Sequence, residues 1–437
     1  MMMPRDGRKH VVIVGAGFAG LHCAKKLAAD PRLRITLIDK NNYQQFQPLL
    51  YQVAAGSLSP ENAAFNLRDV LLDHENVVVR MSKIVSGDLA SKTVKGENGD
   101  IYEADFLVLA VGAEANFFNV PGADRYAYPL YNLQDAEHLR SRLLALFEAA
   151  DRQRNPAGNS SLHLAVIGAG PTGVEIAGAI ADILQRSPKN FFPNTDLREM
   201  TITLIDMEPK VLAPFTEISQ NYATEILTAR GVQLRLGASV KEITKSGLLF
   251  ADGSTLHTDL VIWAGGLKAA DLASTLGVAR GHGGRIDVQP DLSVPGYPNV
   301  YALGDFANVV DENGKALPQL GSVAQQAGRH CAANILAAVA GEEQKPFLYF
   351  DKGIMAMVGR NAAVAEIGSK HVPIQGVFAF AAWLGVHALL LTTARAKMEV
   401  LFEWAWDYFG ETRVAPILDQ PDQERQFPNR LPQETRP

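Results

Sequence analysis

Short, almost wholly apolar runs recur along the chain, each bounded by glycine, proline or charged residues. Val11-Val12-Ile13-Val14, Phe106-Leu107-Val108-Leu109-Ala110-Val111-Gly112, Leu164-Ala165-Val166-Ile167 and Leu260-Val261-Ile262-Trp263-Ala264-Gly265-Gly266 show no polar alternation. They read as strands buried on both faces, as in a parallel sheet covered by helices. Arg34-Ile35-Thr36-Leu37-Ile38, Thr201-Ile202-Thr203-Leu204-Ile205 and Val300-Tyr301-Ala302-Leu303 add further strands. Helical spacing of apolar positions predicts helices over 133–152, with a mixed charged face, and over about 323–340. Phe46-Gln47-Pro48-Leu49-Leu50-Tyr51-Gln52 reads as an aromatic loop leading into a helix. The polar stretch 153–161 reads as a linker, and Ser187 to Asp196 as a surface excursion. Strand character returns at 285–305, so a second strand–helix–strand unit is expected to be inserted into the first. The predicted divisions are 1–115 with 271–365, then 116–270, then 366–437.

Two of these strands run into the same kind of turn. Gly15-Ala16-Gly17-Phe18-Ala19-Gly20 follows the first, and Gly168-Ala169-Gly170-Pro171-Thr172-Gly173 follows Leu164–Ile167. In a strand–turn–helix context the first glycine permits the tight turn, and the second lets backbone N–H groups approach a pyrophosphate. The third lets the helix pack on the sheet, and the helix N-terminus faces the phosphates with its positive end. Each turn has an acidic partner at the end of the next strand, Asp39 and Asp206, suited to the hydroxyls of an adenosine ribose. Two dinucleotide sites in one chain point to electron transfer between them. Met207 and Glu208, not arginine, follow Asp206, which favours NADH over NADPH at the second site; Lys210 keeps the alternative open. The bland reading is a pair of ordinary strand–helix connections.

With 437 residues, 47% hydrophobic, the chain can hold two or three domains with sizeable cores. A net charge of −6 argues against nucleic acid as a partner. The two cysteines, Cys23 and Cys331, lie far apart in the sequence in helical segments and read as packing residues, not as a redox pair or zinc site. Met1 to His10 is polar, with no apolar core of a secretory signal, so a location on the cytoplasmic side is expected.

The stretch 377–391, Val377 to Leu391, is the most apolar in the chain, yet shorter than the ~20 residues a spanning helix needs. Arg395 and Lys397 follow, then Trp404, Trp406, Tyr408 and Phe409, so that three of the four tryptophans lie over 377–409. Basic and aromatic residues favour a membrane interface, and the segment reads as helices lying in one leaflet. A domain core or dimer interface is the competing reading. The tail after Asp419 is polar and proline-containing and is expected to be disordered.

Taken together, the order and spacing of these motifs over nearly the whole chain resemble the type II NADH dehydrogenases, the single-subunit, non-proton-pumping NADH:quinone oxidoreductases. The resemblance implies an α/β fold of two Rossmann-like dinucleotide-binding domains, the second inserted in the first, with a C-terminal amphipathic helical membrane-association region. It assigns FAD to the first turn, with Gly15, Gly17, Phe18, Ala19, Gly20, Asp39, Lys40, Ala110 and Gly112 around it. Gly304-Asp305 matches the family's second FAD motif, whose carboxylate accepts from ribityl hydroxyls, and Ala324 completes the set. NADH is assigned to Gly168, Gly170, Pro171, Thr172, Gly173, Glu175, Asp206 and Gly265. Phe46, Pro48, Leu49, Leu50 and Tyr51 match the family's loop after the first acidic residue, and Lys352-Gly353-Ile354-Met355-Ala356, followed by Gly359-Arg360 and Ala362-Ala363-Val364, matches its segment before the membrane region. The implied acceptor is a quinone, the implied assembly a homodimer, and the implied location the cytoplasmic face of the cell membrane.

The resemblance places Glu175, Lys352 and Gln326 near the chemistry, with the helix opening near Ser322-Val323 aimed at the flavin. Beside these stand plainer roles: a carboxylate at a helix N-terminus, a solvated lysine and a solvent-facing amide. His387 reads as a packed or interfacial histidine. One departure stands out: where the family carries Ala-Gln or Ala-Pro, this chain has Gly321-Ser322 within Pro318–Gln326, which bears on the quinone accepted. A soluble reductase of an iron–sulfur protein and a flavin-bearing redox sensor share both nucleotide motifs. The soluble reductase does not account for the tryptophan-rich C-terminal segment; the sensor, whose membrane or dimer association NADH would switch, is separated from an enzyme by turnover with quinone. A sulfide-oxidising or disulfide-reducing enzyme would need a reactive cysteine pair.

Overall fold

The computed structural model describes residues 7–152, 162–188 and 191–409. The linker expected at 153–161, the first residues of the chain, part of the excursion and the tail after Asp419 lie outside them. The chain divides into two compact units. One comprises Met1–Gln45, Ala64–Glu114 and Leu267–Lys352, the other Phe46–Ala63, Ala115–Gly266 and Gly353–Pro437.

The first unit is built on a parallel sheet in the order Val300–Ala302, Phe106–Leu109, Lys9–Val14, Leu33–Asp39, Val77–Met81. Its central strands are buried on both faces, as their unbroken apolar runs require. The helix Phe18–Leu27 leaves the first glycine turn and crosses the helix Gly321–Ala340 at close range. A Cβ on Gly328 would stand 2.1 Å from the Ala19 carbonyl oxygen, so only glycine allows this crossing. Cys23 and Cys331 meet within it, fully buried, and burial holds the Cys331 thiol well above its ordinary pKa. Both therefore act as packing groups, in a contact that their separation in sequence concealed. An antiparallel sheet of Ile84–Asp88, Thr93–Gly96 and Ile101–Glu103 completes the unit's strands beyond the main sheet and a few short pairings.

The second unit repeats the plan. Its parallel sheet runs Ala127–Pro129, Leu260–Trp263, His163–Ile167, Thr201–Ile205, Val232–Arg235. The helix Pro171–Arg186 leaves the second glycine turn. The helix Leu133–Arg152 forms over the span that its periodicity predicts. Two antiparallel three-stranded sheets follow: Val240–Thr244, Gly247–Phe250, Thr255–His257, and Gly353–Gly359, Ala362–Ile367, Val372–Gly376.

Glu366 ties the last of these sheets to the helix Glu217–Ala229. Its fully buried carboxylate accepts from the Thr216 N–H, the Thr216 hydroxyl and the Ser219 hydroxyl, each at 2.7 Å, and Oε2 lies 3.0 Å from His371 Nδ1. Burial alone would raise its pKa; these hydrogen bonds outweigh burial and hold it below the ordinary value. The stabilisation is therefore present above the unfolded-state pKa of about 4.3 and is lost as pH falls through the folded value. Glu366→Ala strands several buried donors and is expected to cost about 3 kcal/mol, read as a lowered Tm at pH 7. A Tm within one degree of the parent would show that the tie contributes nothing.

After Gly376 the chain forms two helices, Val377–Leu390 and Ala394–Phe409. Trp383, Ala379 and His387 face inward, whereas Phe378, Leu389, Phe402, Trp406 and Phe409 are exposed. Among the described residues no helix is long and apolar enough to cross a membrane.

Candidate functional site

The two glycine turns have nearly the same geometry. Gly15 and Gly168 adopt φ of +100° and +102°, conformations that L side chains rarely adopt. A Cβ there would also meet the carbonyl oxygen of Ala110 at 2.2 Å or of Ala264 at 2.4 Å. At the third glycine, Gly20 or Gly173, a Cβ would meet the carbonyl oxygen of Gly15 at 1.8 Å or of Gly168 at 1.7 Å. The middle glycine differs: at Gly17 and at Gly170 an added Cβ meets, chain neighbours apart, no atom of the described residues within 4 Å. The first and third positions are thus glycine for the protein's own packing, and the second leaves space open in front of the helix. Gly17 and Gly170 are the N-caps of their helices and no side chain caps either one. No side-chain cap thus takes up the first N–H groups of either helix, an arrangement suited to an anion.

Each acidic partner locks its turn. Asp39 Oδ2 accepts the Ala16 N–H at 2.7 Å and Oδ1 the Asn41 N–H at 2.8 Å; burial raises its pKa. Asp206 does the same, with Oδ2 on the Ala169 N–H at 2.5 Å and Oδ1 on the Glu208 N–H at 2.8 Å. A carboxylate oxygen that accepts one N–H still has acceptor capacity for a further donor. In the second unit Asp206, Lys210, the glycine turn and Ala264-Gly265-Gly266 line a cleft of about 260 Å³. Pro171 and Thr172 open the helix beyond it and are exposed. Trp263 packs against Gly265 and donates from Nε1 to the Asn116 carbonyl at 2.9 Å, fixing the strand end.

In the first unit, Gly304 turns at φ +63°, its Cα face 3.2 Å from Ala19 Cβ and 3.4 Å from Ala324 Cβ by the position a Cβ would take. The Gly304-Asp305 segment is thereby brought to the first turns of both long helices. The Asp305 carbonyl accepts from Gln319 Nε2 at 3.3 Å. The strand Phe106–Leu109 stops short of Ala110-Val111-Gly112, and Gly112 turns at φ +80°. Phe18 lies against Gly321, where a Cβ would be 3.2 Å from its ring, and Lys40 is exposed. Gly321-Ser322 has a local explanation: glycine clears Phe18, and the Ser322 hydroxyl lies 2.9 Å from the Tyr349 hydroxyl. Gln326 spends its amide on one residue, donating to the Phe350 carbonyl at 2.9 Å and accepting the Phe350 N–H at 3.0 Å. It holds the segment that leads to the exposed Lys352.

Glu175 sits in the first turns of the helix Pro171–Arg186. The residue as a whole is half-buried, and burial of its carboxyl group pushes its pKa up to about 8. Only the Met357 N–H, at 3.1 Å, and the Trp383 indole oppose that shift. Trp383 stacks on His387 at 3.8 Å and meets Tyr51 edge-on at 6.0 Å. His387, driven by burial to a pKa of about 4, is neutral and donates from Nδ1 to the Trp383 carbonyl at 2.7 Å. Trp404 Nε1 donates to Gln52 Oε1 at 2.8 Å, and Gln52 Nε2 to the Tyr51 hydroxyl at 3.0 Å. The aromatic loop is thus fastened to the C-terminal helices, and Trp383 joins them to Glu175. Neither Trp383 nor Gln52 was identifiable as a site residue from sequence: the segments that carry them stood out, but their partners, Glu175 and Trp404, lie far off in the chain.

A family description, pyridine nucleotide-disulphide oxidoreductase, matches residues 9–328. The type II NADH:quinone oxidoreductase Ndh of Mycobacterium tuberculosis is 36% identical over 94% of this chain and 91% of its own length. The chain belongs to the type II NADH:quinone oxidoreductase family. Within that family a Staphylococcus aureus protein is 30% identical over 84% of this chain and 92% of its own. The fold is that of NDH2 from Plasmodium falciparum, solved in complex with NADH: TM-score 0.84 at 20% identity, covering 93% of this chain and 100% of that one. The resemblance read from the motifs is thus the family to which the type II chain belongs.

Proposed function

We propose that this chain oxidises NADH and passes the electrons through FAD to a membrane quinone, without pumping protons. The observation that carries this reading is the pair of open middle glycines, each before an uncapped helix and beside a turn locked by a carboxylate. The first cradle fits the adenosine pyrophosphate of FAD and the second that of NADH. FAD, when bound, supplies the acceptor for a hydride and the donor for a quinone. The rest is positioning by the chain. Gly15, Gly17, Gly20 and Asp39 hold the adenosine end of the cofactor, and Gly304-Asp305 with the helix opening at Gly321 receives its ribityl and ring portion. Gly168, Gly170, Gly173, Asp206 and Gly265 seat NADH. Glu175 holds a proton at its carboxyl and delivers it to the quinone oxygen. Gln326 positions the segment of Lys352, which orients the quinone head.

The helices over 377–409 lie in one leaflet on the cytoplasmic side, as part of a homodimer, with Phe378, Leu389, Phe402 and Trp406 inserted. Exposed apolar side chains on this scale favour a lipid surface over the solvent of a soluble reductase. Phe378→Glu with Leu389→Glu is expected to lower partition into phosphatidylglycerol vesicles at least tenfold, with the flavin retained. Unchanged vesicle binding by sedimentation would place the membrane contact elsewhere. The redox reading predicts that the FAD-loaded protein oxidises NADH continuously only when quinone is supplied.

A further inference from the structure

The cleft assigned to NADH contains a cation that should welcome the wrong substrate. Lys210 lines the same cleft as Asp206, four positions further along the chain. The segment between Asp206 and the helix Glu217–Ala229 is firmly seated. Leu212 takes φ +52° and its N–H donates to the Ala169 carbonyl at 2.8 Å. Gln220 Nε2 donates to the Phe215 carbonyl at 2.7 Å and the Ala213 carbonyl at 3.3 Å. The backbone of Lys210 is therefore carried on a fixed loop, while its long stem can still redirect the ammonium. A ribose 2′-phosphate beside Asp206 would find that ammonium within its reach.

Lys210 Nζ is instead held by Glu217 Oε1 at 2.9 Å. Glu217 is the first residue of its helix, where the helix N-terminus favours a carboxylate, and it is not among the residues lining the cleft. We infer that Glu217 is a specificity-determining residue: it occupies the Lys210 ammonium and so denies a 2′-phosphate its counter-ion. The inference rests on the reading that the second glycine turn seats NADH. Two devices then act against NADPH. Asp206 repels the extra phosphate directly, and Glu217 withholds Lys210, among the described residues the one cation lining the cleft, which could offset that repulsion.

The size of the second effect follows from its exposure. Lys210 and Glu217 are 49% and 72% exposed, so their pair is of the weak, solvent-screened kind. Releasing Lys210 should therefore raise kcat/KM for NADPH roughly fivefold at low salt, not by orders of magnitude. The gain should fade as salt rises.

The experiment uses the FAD-loaded full chain. Glu217→Gln is expected to raise kcat/KM for NADPH roughly fivefold and to move that for NADH by less than twofold. Equilibrium binding of adenosine 2′,5′-bisphosphate should tighten by the same factor, while that of 5′-AMP stays put. Adding Lys210→Met to Glu217→Gln should erase both gains. An unchanged NADPH value in Glu217→Gln, or a gain that survives Lys210→Met, overturns the inference. Asp206→Asn separates the two levels: it should raise KM for NADH, and if it does not, the placing of NADH in this cleft fails as well.

Discussion

Replacing Gly170 by valine is expected to leave a folded, flavin-loaded protein whose KM for NADH is raised about a hundredfold, a loss of about 3 kcal/mol. Gly170 has φ −72° and ψ −175°, extended backbone that valine adopts without strain. Among the described residues, chain neighbours apart, no atom lies within 4 Å of its added Cβ. The added Cβ therefore meets no steric obstacle, and the side chain occupies the space in front of the helix where a pyrophosphate would sit. Gly173→Val is the contrasting case, because its Cβ would stand 1.7 Å from the Gly168 carbonyl oxygen and must break the turn itself. Gly170→Val should thus match the parent in Tm and flavin content while Gly173→Val should not. Stopped-flow reduction by NADH gives the affinity. A KM within threefold of the parent in Gly170→Val would remove the second turn from NADH binding.

Glu175→Gln should lower quinone-dependent turnover by about a hundredfold or more, the usual range for loss of a positioned acid. The glutamine keeps the acceptor for the Met357 N–H and removes the proton. Hydride uptake from NADH should fall far less, so single-turnover reduction and steady-state turnover should separate. The pH profile supplies a second signature. With its pKa at about 8, Glu175 is protonated at neutral pH, and turnover in the parent should decline as pH rises through that value. Glu175→Gln should lack this decline. Stability gives a third readout with the opposite benefit. Between the ordinary value of 4.5 and about 8 the folded protein holds a proton that the unfolded chain has released. Folding stability therefore falls as pH rises through that window, by about 3 kcal/mol at pH 7, and the neutral amide avoids this loss. Equal turnover in parent and variant would return Glu175 to a packing role.

The parallel sheets and both glycine turns were legible in sequence because they rest on local rules. A strand buried on both faces is a continuous apolar run, and a turn at φ near +100° with no room for a Cβ must be glycine. Asp39 and Asp206 were legible for the same reason, since their position at a strand end fixes their direction. What sequence could not show was each instance of tertiary partnership. The partners of Glu175 are Met357 and Trp383, one on a strand and one on a distant helix. Glu366 meets Thr216 and Ser219 across a similar distance in sequence, and Cys23 meets Cys331. Gln326 read as an amide available to a quinone, and only the fold shows its pairing with Phe350. Gly321-Ser322 read as a departure bearing on the quinone accepted, and the fold supplies partners for it in Phe18 and Tyr349.

The most direct test of the account is steady-state NADH oxidation by the purified, FAD-loaded protein, with and without a short-chain quinone and with NADPH in a parallel series. The account predicts rapid turnover that requires quinone and prefers NADH. Reduction of the flavin by NADH that then stalls in the presence of quinone, and resumes only with an iron–sulfur protein, would contradict it.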